Sequence, residues 1–179
     1  MGNFSLRFKV SQIHLWAKEY ENSKYFTKSR EEGIEEKIAV RTKKVRYFTH
    51  QDFLTVCQWK SPRPLKLYKQ NSPEFIKEVT KTALSSPNEQ LRIEILTLLR
   101  GVSWPTASVL LHFGSKGPYP ILDFRALWSL KTEVPKQYDF SFWWAYALFC
   151  RNLAKNVGVT MRTLDRALWQ YSKTNQEKS

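Results

Sequence analysis

The stretch from Leu98 to Leu130 constrains this chain more than any other. It reads LLRGVSWPTASVLL and then HFGSKGPYPILDFRALWSL. The pattern predicts a helix ending near Arg100, a tight Gly101-Val102-Ser103 turn, and a second helix from about Pro105. Proline suits the first turn of a helix, and glycine permits a turn that side chains oppose. A Gly117-Pro118-Tyr119-Pro120 loop then carries one carboxylate, Asp123, to the start of a third helix. A helix hairpin aligns the unpaired N–H groups and the positive dipole end of its second helix, and these bind phosphate. Gly101 allows close approach to a strand, and the Thr106 hydroxyl adds a contact. Without a ligand, the same turn is an αα-corner used for packing.

Charge narrows the partner. Lys plus Arg number 29 and Asp plus Glu 16, a net +13, with an isoelectric point near 9.8. A polyanion is the expected partner, and a nucleic acid once the hairpin is counted. Cys57 and Cys150 are too few for a four-cysteine iron–sulfur cluster and imply no disulfide framework, which fits a reducing compartment. His14, His50 and His112 lack metal-ligand spacing, so no metal site is expected. No window reaches the ~18 apolar residues of a membrane span. The expectation is a monomer in the cytoplasm, nucleoid-associated if bacterial, with no membrane and no small-molecule cofactor.

The hairpin, loop and carboxylate together resemble the helix-hairpin-helix DNA glycosylases, in the endonuclease III-like branch without its cluster. The family hairpin reads Leu-Pro-Gly-Val-Gly-x-(Lys or Ser)-Thr-Ala, against Leu99-Arg100-Gly101-Val102-Ser103-Trp104-Pro105-Thr106-Ala107 here. Asp123 follows Pro105 by 123 − 105 = 18 residues, the family spacing. The match covers about 33 residues well and the remainder loosely. The resemblance implies an all-α, two-lobed fold, with a hairpin lobe of about 49–117 and a second lobe of about 1–48 plus 118–179. It implies a repair enzyme that flips a damaged base from DNA and hydrolyses its glycosidic bond. Asp123 stabilises the oxocarbenium-like state in that chemistry. Alternatively, Asp123 only caps the helix running to Leu130; one residue can do both. Gly101, Val102, Ser103, Trp104 and Thr106 grip the backbone, and a monovalent cation at the hairpin carbonyls is the most the resemblance adds. Ser103 replaces a family glycine. Pro105 replaces the Schiff-base lysine of bifunctional members, so base removal without strand cleavage is implied. The rival reading keeps the fold as a DNA-binding module without catalysis.

The rest of the chain reads as helices. Val10, Ile13, Ala17 and Tyr20 mark one, and Ser29-Arg30-Glu31-Glu32 has capping-box form before another, although Ile38 to Phe48 also suits a strand. Thr49 caps a helix through Trp59 that buries Phe53, Val56 and Cys57. Pro62 and Pro64 then argue for a stiff non-helical loop carrying Lys60, Arg63 and Lys66 toward DNA. Trp59, Leu65 and Tyr68 there are candidates for a wedge that fills a flipped-out gap, with Tyr119 and Trp143 as candidate pocket walls. Arg125, two residues past Asp123, is a further DNA contact candidate. Two helices open at Ser72-Pro73 and Ser86-Pro87, expected to bury Phe75, Ile76, Val79 and Ala83, then Leu91, Ile95, Leu98 and Leu99. Phe142, Tyr146, Phe149, Leu153 and Val157 mark a long helix that is apolar nearly all round as far as Cys150, a central helix. A final helix from Thr160 exposes Arg162, Asp165 and Arg166 as a solvated ion-pair face.

Overall fold

A computed structural model describes residues 4–26 and 31–177. The fold is all-α, with no strand among the described residues. No helix of the described residues is long and apolar enough to cross a membrane. The chain divides into two compact units, Lys28–Tyr119 and Met1–Thr27 with Pro120–Ser179.

The Lys28–Tyr119 unit opens with a π-helical segment, Gly33–Ile38, that runs into α1, Ala39–Val45. Next come α2 (His50–Lys60), the single turn α3 (Leu65–Tyr68) and α4 (Pro73–Ser85). The short α5 (Glu89–Glu94) passes into a 3-10 turn, Ile95–Leu98, and α6 (Trp104–Gly114) closes the unit. Thr49, Ser72 and Asn88 each accept an N–H at the start of their helix, a contact worth about 1 kcal/mol. Helix α6 packs against α1, α2, α4 and α5. It is buried almost all round, through Thr106, Ala107, Ser108, Val109, Leu110 and Leu111, and so is the central helix of this unit. Gly114 lets Phe48 and Leu84 close on it; a Cβ there lies 2.7 Å from the Phe48 ring.

Several expectations change here. Residues 31–48 belong with the hairpin rather than with the terminal lobe. The reason is packing: α1 lies on α6, and the Phe48 N–H donates to Thr80 Oγ1 at 3.0 Å. An Arg41–Asp52 ion pair ties α1 to α2. The run from Ile38 to Val45 is helical, not a strand. Ser29 and Arg30 of the expected capping box lie outside the described residues. Pro62 and Pro64 do not exclude helix beyond them, since α3 starts directly after Pro64. Along α5 and the 3-10 turn that follows it, the buried positions are Ile93, Leu96 and Leu99, while Leu91 and Leu98 face solvent. The 3-10 turn accounts for the far end, because its three-residue period brings Leu96 and Leu99 to one side and turns Leu98 outward. Phe75 is likewise exposed, and Thr80 and Leu84 complete the buried face of α4.

In the other unit, α7 (Ile13–Glu21), α8 (Phe124–Ser129), α9 (Phe140–Val157) and α10 (Met161–Asn175) surround a second core. Helix α10 packs along α7 and α8 and touches α9. Its Leu164, Ala167 and Leu168 are buried, as are Ile13 and Ala17 of α7 and Leu127 of α8. Val10, expected on the same stripe, is exposed because it sits in the 3-10 turn before α7. Helix α9 buries one face only, Trp143, Tyr146, Ala147, Cys150 and Ala154, so it is amphipathic rather than central. Its Phe142 and Phe149 are half-buried beneath Phe4, with ring centroids at 6.0 and 5.5 Å. Asp165, expected in solvent, is buried.

Candidate functional site

The hairpin turn is built from the inside. The Val102 N–H donates to the Leu99 carbonyl at 3.0 Å, closing a four-residue turn. Gly101 stands at its third position with φ +84°, a left-handed conformation that glycine adopts without strain. A Cβ at Gly101 lies 2.9 Å from the Tyr68 ring and 3.0 Å from Leu67 Cβ, so α3 is the floor on which the turn rests. Asn71, buried just after α3, clamps the turn. Its Oδ1 accepts the Arg100 N–H at 2.8 Å and its Nδ2 donates to the Arg100 carbonyl at 3.1 Å. The same Nδ2 donates to the Tyr68 carbonyl at 2.9 Å. Asn71 carried no signal in the sequence: it stands in a Gln-Asn-Ser-Pro turn, 29 residues from its partner.

The turn delivers its chain to the N-terminus of α6. Thr49, Ser72, Asn88, Asp123, Asp139 and Thr160 all cap their helices through the side chain. Ser103, at the equivalent position of α6, does not. Its hydroxyl leaves the first-turn amides of Trp104 and Thr106 without a side-chain acceptor from the cap position. Ser103 is exposed, and Trp104 is half-buried. Val102 and Thr106 differ from expectation: both side chains are buried, so the Thr106 hydroxyl faces the core beneath the turn rather than a ligand.

Lys60 is half-buried at the end of α2, and Arg63 and Lys66 are exposed on the segment leading to the hairpin floor. Of the wedge candidates, Leu65 is half-buried, while Tyr68 is fully buried and packs edge-on to Phe53 at 5.9 Å. Tyr68 therefore serves the hairpin as a support and has no surface to offer a base. Leu67, expected to be exposed on the same loop, is exposed, and it lies beside Gly101. Trp59 packs edge-on to Phe113 at 5.5 Å. Tyr119 is buried, donates through its hydroxyl to Glu89 at 2.7 Å, and pairs through its carbonyl with His112 Nδ1 at 2.6 Å. It is a structural tie and not a pocket wall.

Asp123 stands in the other unit, half-buried, as the N-cap of α8. Its Oδ1 accepts the Arg125 N–H at 2.9 Å. The approach to it is anchored two residues earlier. The Ile121 N–H donates to Asp165 Oδ1 at 3.1 Å, and the Ile121 carbonyl accepts the Tyr146 hydroxyl at 2.8 Å. Both bonds are buried, so neither exchanges readily with water. Burial pushes the Tyr146 phenol well up, helped by the nearby Cys150 and Asp165, which keeps it a neutral donor. Tyr138 lies near enough that the Asp123 charge adds to the burial that raises its own phenol. Asp165 and Tyr146 escaped the sequence reading because periodicity placed one on a solvent face and the other in a uniform core. Trp143, offered as a pocket wall, is fully buried against Phe140 and Trp144.

Arg125 lays its guanidinium against the Phe124 ring at 4.8 Å and the Trp169 ring at 5.6 Å. Cys57 and Cys150 are buried and unlinked, and burial raises both thiols. No group of acids, histidines and cysteines among the described residues is arranged to hold a metal ion. Compared with protein-family models, curated proteins and solved structures, the chain matches none.

Proposed function

We propose that this protein is a helix-hairpin-helix DNA glycosylase of two-lobed fold that removes a damaged or modified base from double-stranded DNA. The hairpin grips the phosphate backbone, and Asp123 assists hydrolysis of the N-glycosidic bond. The observation that carries the reading is the pairing of a rigid, clamped Gly101 turn with a helix start that its own Ser103 leaves uncapped. A phosphate oxygen is the natural acceptor for such amides, and the dipole of α6 adds to the attraction. Arg63 and Lys66, exposed on the adjoining segment, extend the positive surface.

Asp123 suits the chemical role because a cap position fixes a carboxylate without neutralising it. Positive charge grows on the sugar as the base departs, and a fixed anion lowers that barrier. The buried ties at Ile121 support the same end by holding the stalk from which Asp123 projects. Pro105 supplies no amine where a Schiff base forms in bifunctional enzymes, so the product is an abasic site in an intact strand. The protein acts as a cytoplasmic monomer in base excision repair on this reading, with a monovalent cation at the hairpin as its one inorganic aid.

One observation favours a second reading. One Asp123 oxygen is already engaged in capping α8, which suits a DNA-binding module that has kept the fold and lost the reaction. A panel of duplexes, each with one alkylated, deaminated or oxidised base, separates the two. Excision of any one under single-turnover conditions supports the enzyme; tight binding with no excision across the panel supports the module.

A further inference from the structure

Beyond Asp123 a second surface runs along the Met1–Thr27 and Pro120–Ser179 unit. Phe124, the residue after Asp123, is half-exposed. Arg125 touches its ring and, on the other side, the half-buried Trp169 ring. Trp169 meets Tyr25 edge-on, with centroids 5.2 Å apart. Tyr25 is 44% exposed, with Lys173 Nζ 4.6 Å and Lys24 Nζ 5.6 Å from its ring centroid. The Tyr25 phenol is held below its usual range by a hydrogen bond to Lys173, helped by the charges of Lys173, Lys24 and Arg125. Three cations thus gather on three aromatic rings in one continuous row. Among the described residues none of the three cations forms an ion pair, whereas neighbouring Arg166 is paired with Glu21.

Cations interleaved with part-exposed rings are what an unpaired nucleic-acid strand requires. The rings stack bases of any sequence, and the cations meet the phosphates between them. A duplex hides its base faces and uses only the cations. An acidic protein does the same and leaves the rings idle. We propose that Phe124, Arg125, Trp169, Tyr25, Lys173 and Lys24 form a strip that binds an unpaired stretch of DNA leading away from Asp123. The strip extends the reading of the protein as a DNA-binding one, and fits substrates in which a gap, flap or bubble adjoins the target base.

The test uses the full chain and fluorescence anisotropy with two probes, a labelled twelve-residue oligothymidine and a labelled duplex of equal length. The oligothymidine should bind, and poly-L-glutamate of matched charge should compete about tenfold or more less well than unlabelled oligothymidine. Tyr25→Ala with Lys173→Gln should lower the ratio of oligothymidine to duplex affinity by about tenfold or more. Tyr25→Phe should preserve that ratio, since the ring is kept. Arg63→Gln with Lys66→Gln, in the hairpin unit, should move the ratio the other way. Melting curves verify that each variant folds. An oligothymidine that does not bind, an unchanged ratio in the double variant, or equal competition by polyglutamate overturns the strip, whatever the lesion panel shows. If no lesion is excised but the ratio shifts as stated, the strip stands and the glycosylase reading fails.

Discussion

Asn71 pairs with both backbone groups of Arg100, its carboxamide oxygen taking the N–H and its nitrogen reaching the carbonyl, across 29 residues of sequence. One buried side chain thereby replaces the helical partners that Arg100 loses where the helix stops. Asn71→Ala should cost about 1–3 kcal/mol, because it leaves the part-buried amide and carbonyl of Arg100 without their partner as well as removing hydrogen bonds. Asn71→Asp should not rescue it, since a carboxylate cannot donate to the carbonyls of Arg100 and Tyr68. Urea unfolding of the three proteins measures this; equal midpoints would mean that the turn holds itself.

Gly101 carries a second prediction. Gly101→Ala meets the Tyr68 ring at 2.9 Å and forces a left-handed φ on a residue with a Cβ. The expected cost is at least about 1–2 kcal/mol of stability. If the turn grips the DNA backbone and reads no base, duplex affinity should fall on every sequence alike. A loss confined to some sequences would place Gly101 in base recognition instead.

Salt tests the contact directly. Log affinity for duplex DNA should fall linearly with log salt, at about −0.9 for each phosphate neutralised. Replacing Arg63 or Lys66 by Gln should make that slope shallower by about one. Binding that ignores salt would separate the basic surface from DNA altogether.

The reaction product is a fourth check. Any excised substrate should yield an abasic strand that breaks only after alkali or heat. Borohydride should trap no covalent adduct, because Pro105 offers no amine. Efficient trapping would identify a lysine elsewhere, Lys116 first, as a Schiff-base former.

Helix identity was legible where local rules operate. Thr49, Ser72 and Thr160 announce their helices as caps, and Gly158 ends α9 with φ +72°. Gly101 was legible as a turn glycine for the same reason. Burial was less legible. Leu98 fits a 3.6-residue stripe but is 62% exposed, because the chain tightens to a 3-10 turn there. Tyr68 fits an exposed loop between cations yet lies under Gly101, a contact set by folding across more than 30 residues. The positioning groups were hidden altogether. Asn71 and Asp165 are polar residues whose partners, Arg100 and Ile121, are 29 and 44 residues away, beyond any periodicity.

The central claim rests on the charge of Asp123. Asp123→Asn keeps the size and the oxygen that accepts the Arg125 N–H, and removes the negative charge. Folding should change little, because Asn caps about as well as Asp, whereas Asp123→Ala should lose about 1 kcal/mol. If the carboxylate stabilises an oxocarbenium-like state, single-turnover excision by Asp123→Asn should slow by on the order of a hundredfold or more, about 1.36 kcal/mol of barrier per tenfold. Duplex affinity should hold or rise. The decisive measurement is that excision rate, taken beside a melting curve, on whichever lesion the unaltered protein removes. A large rate loss with an unchanged melting point is the predicted result. Excision at the full rate in Asp123→Asn would contradict the account and leave Asp123 as a helix cap alone.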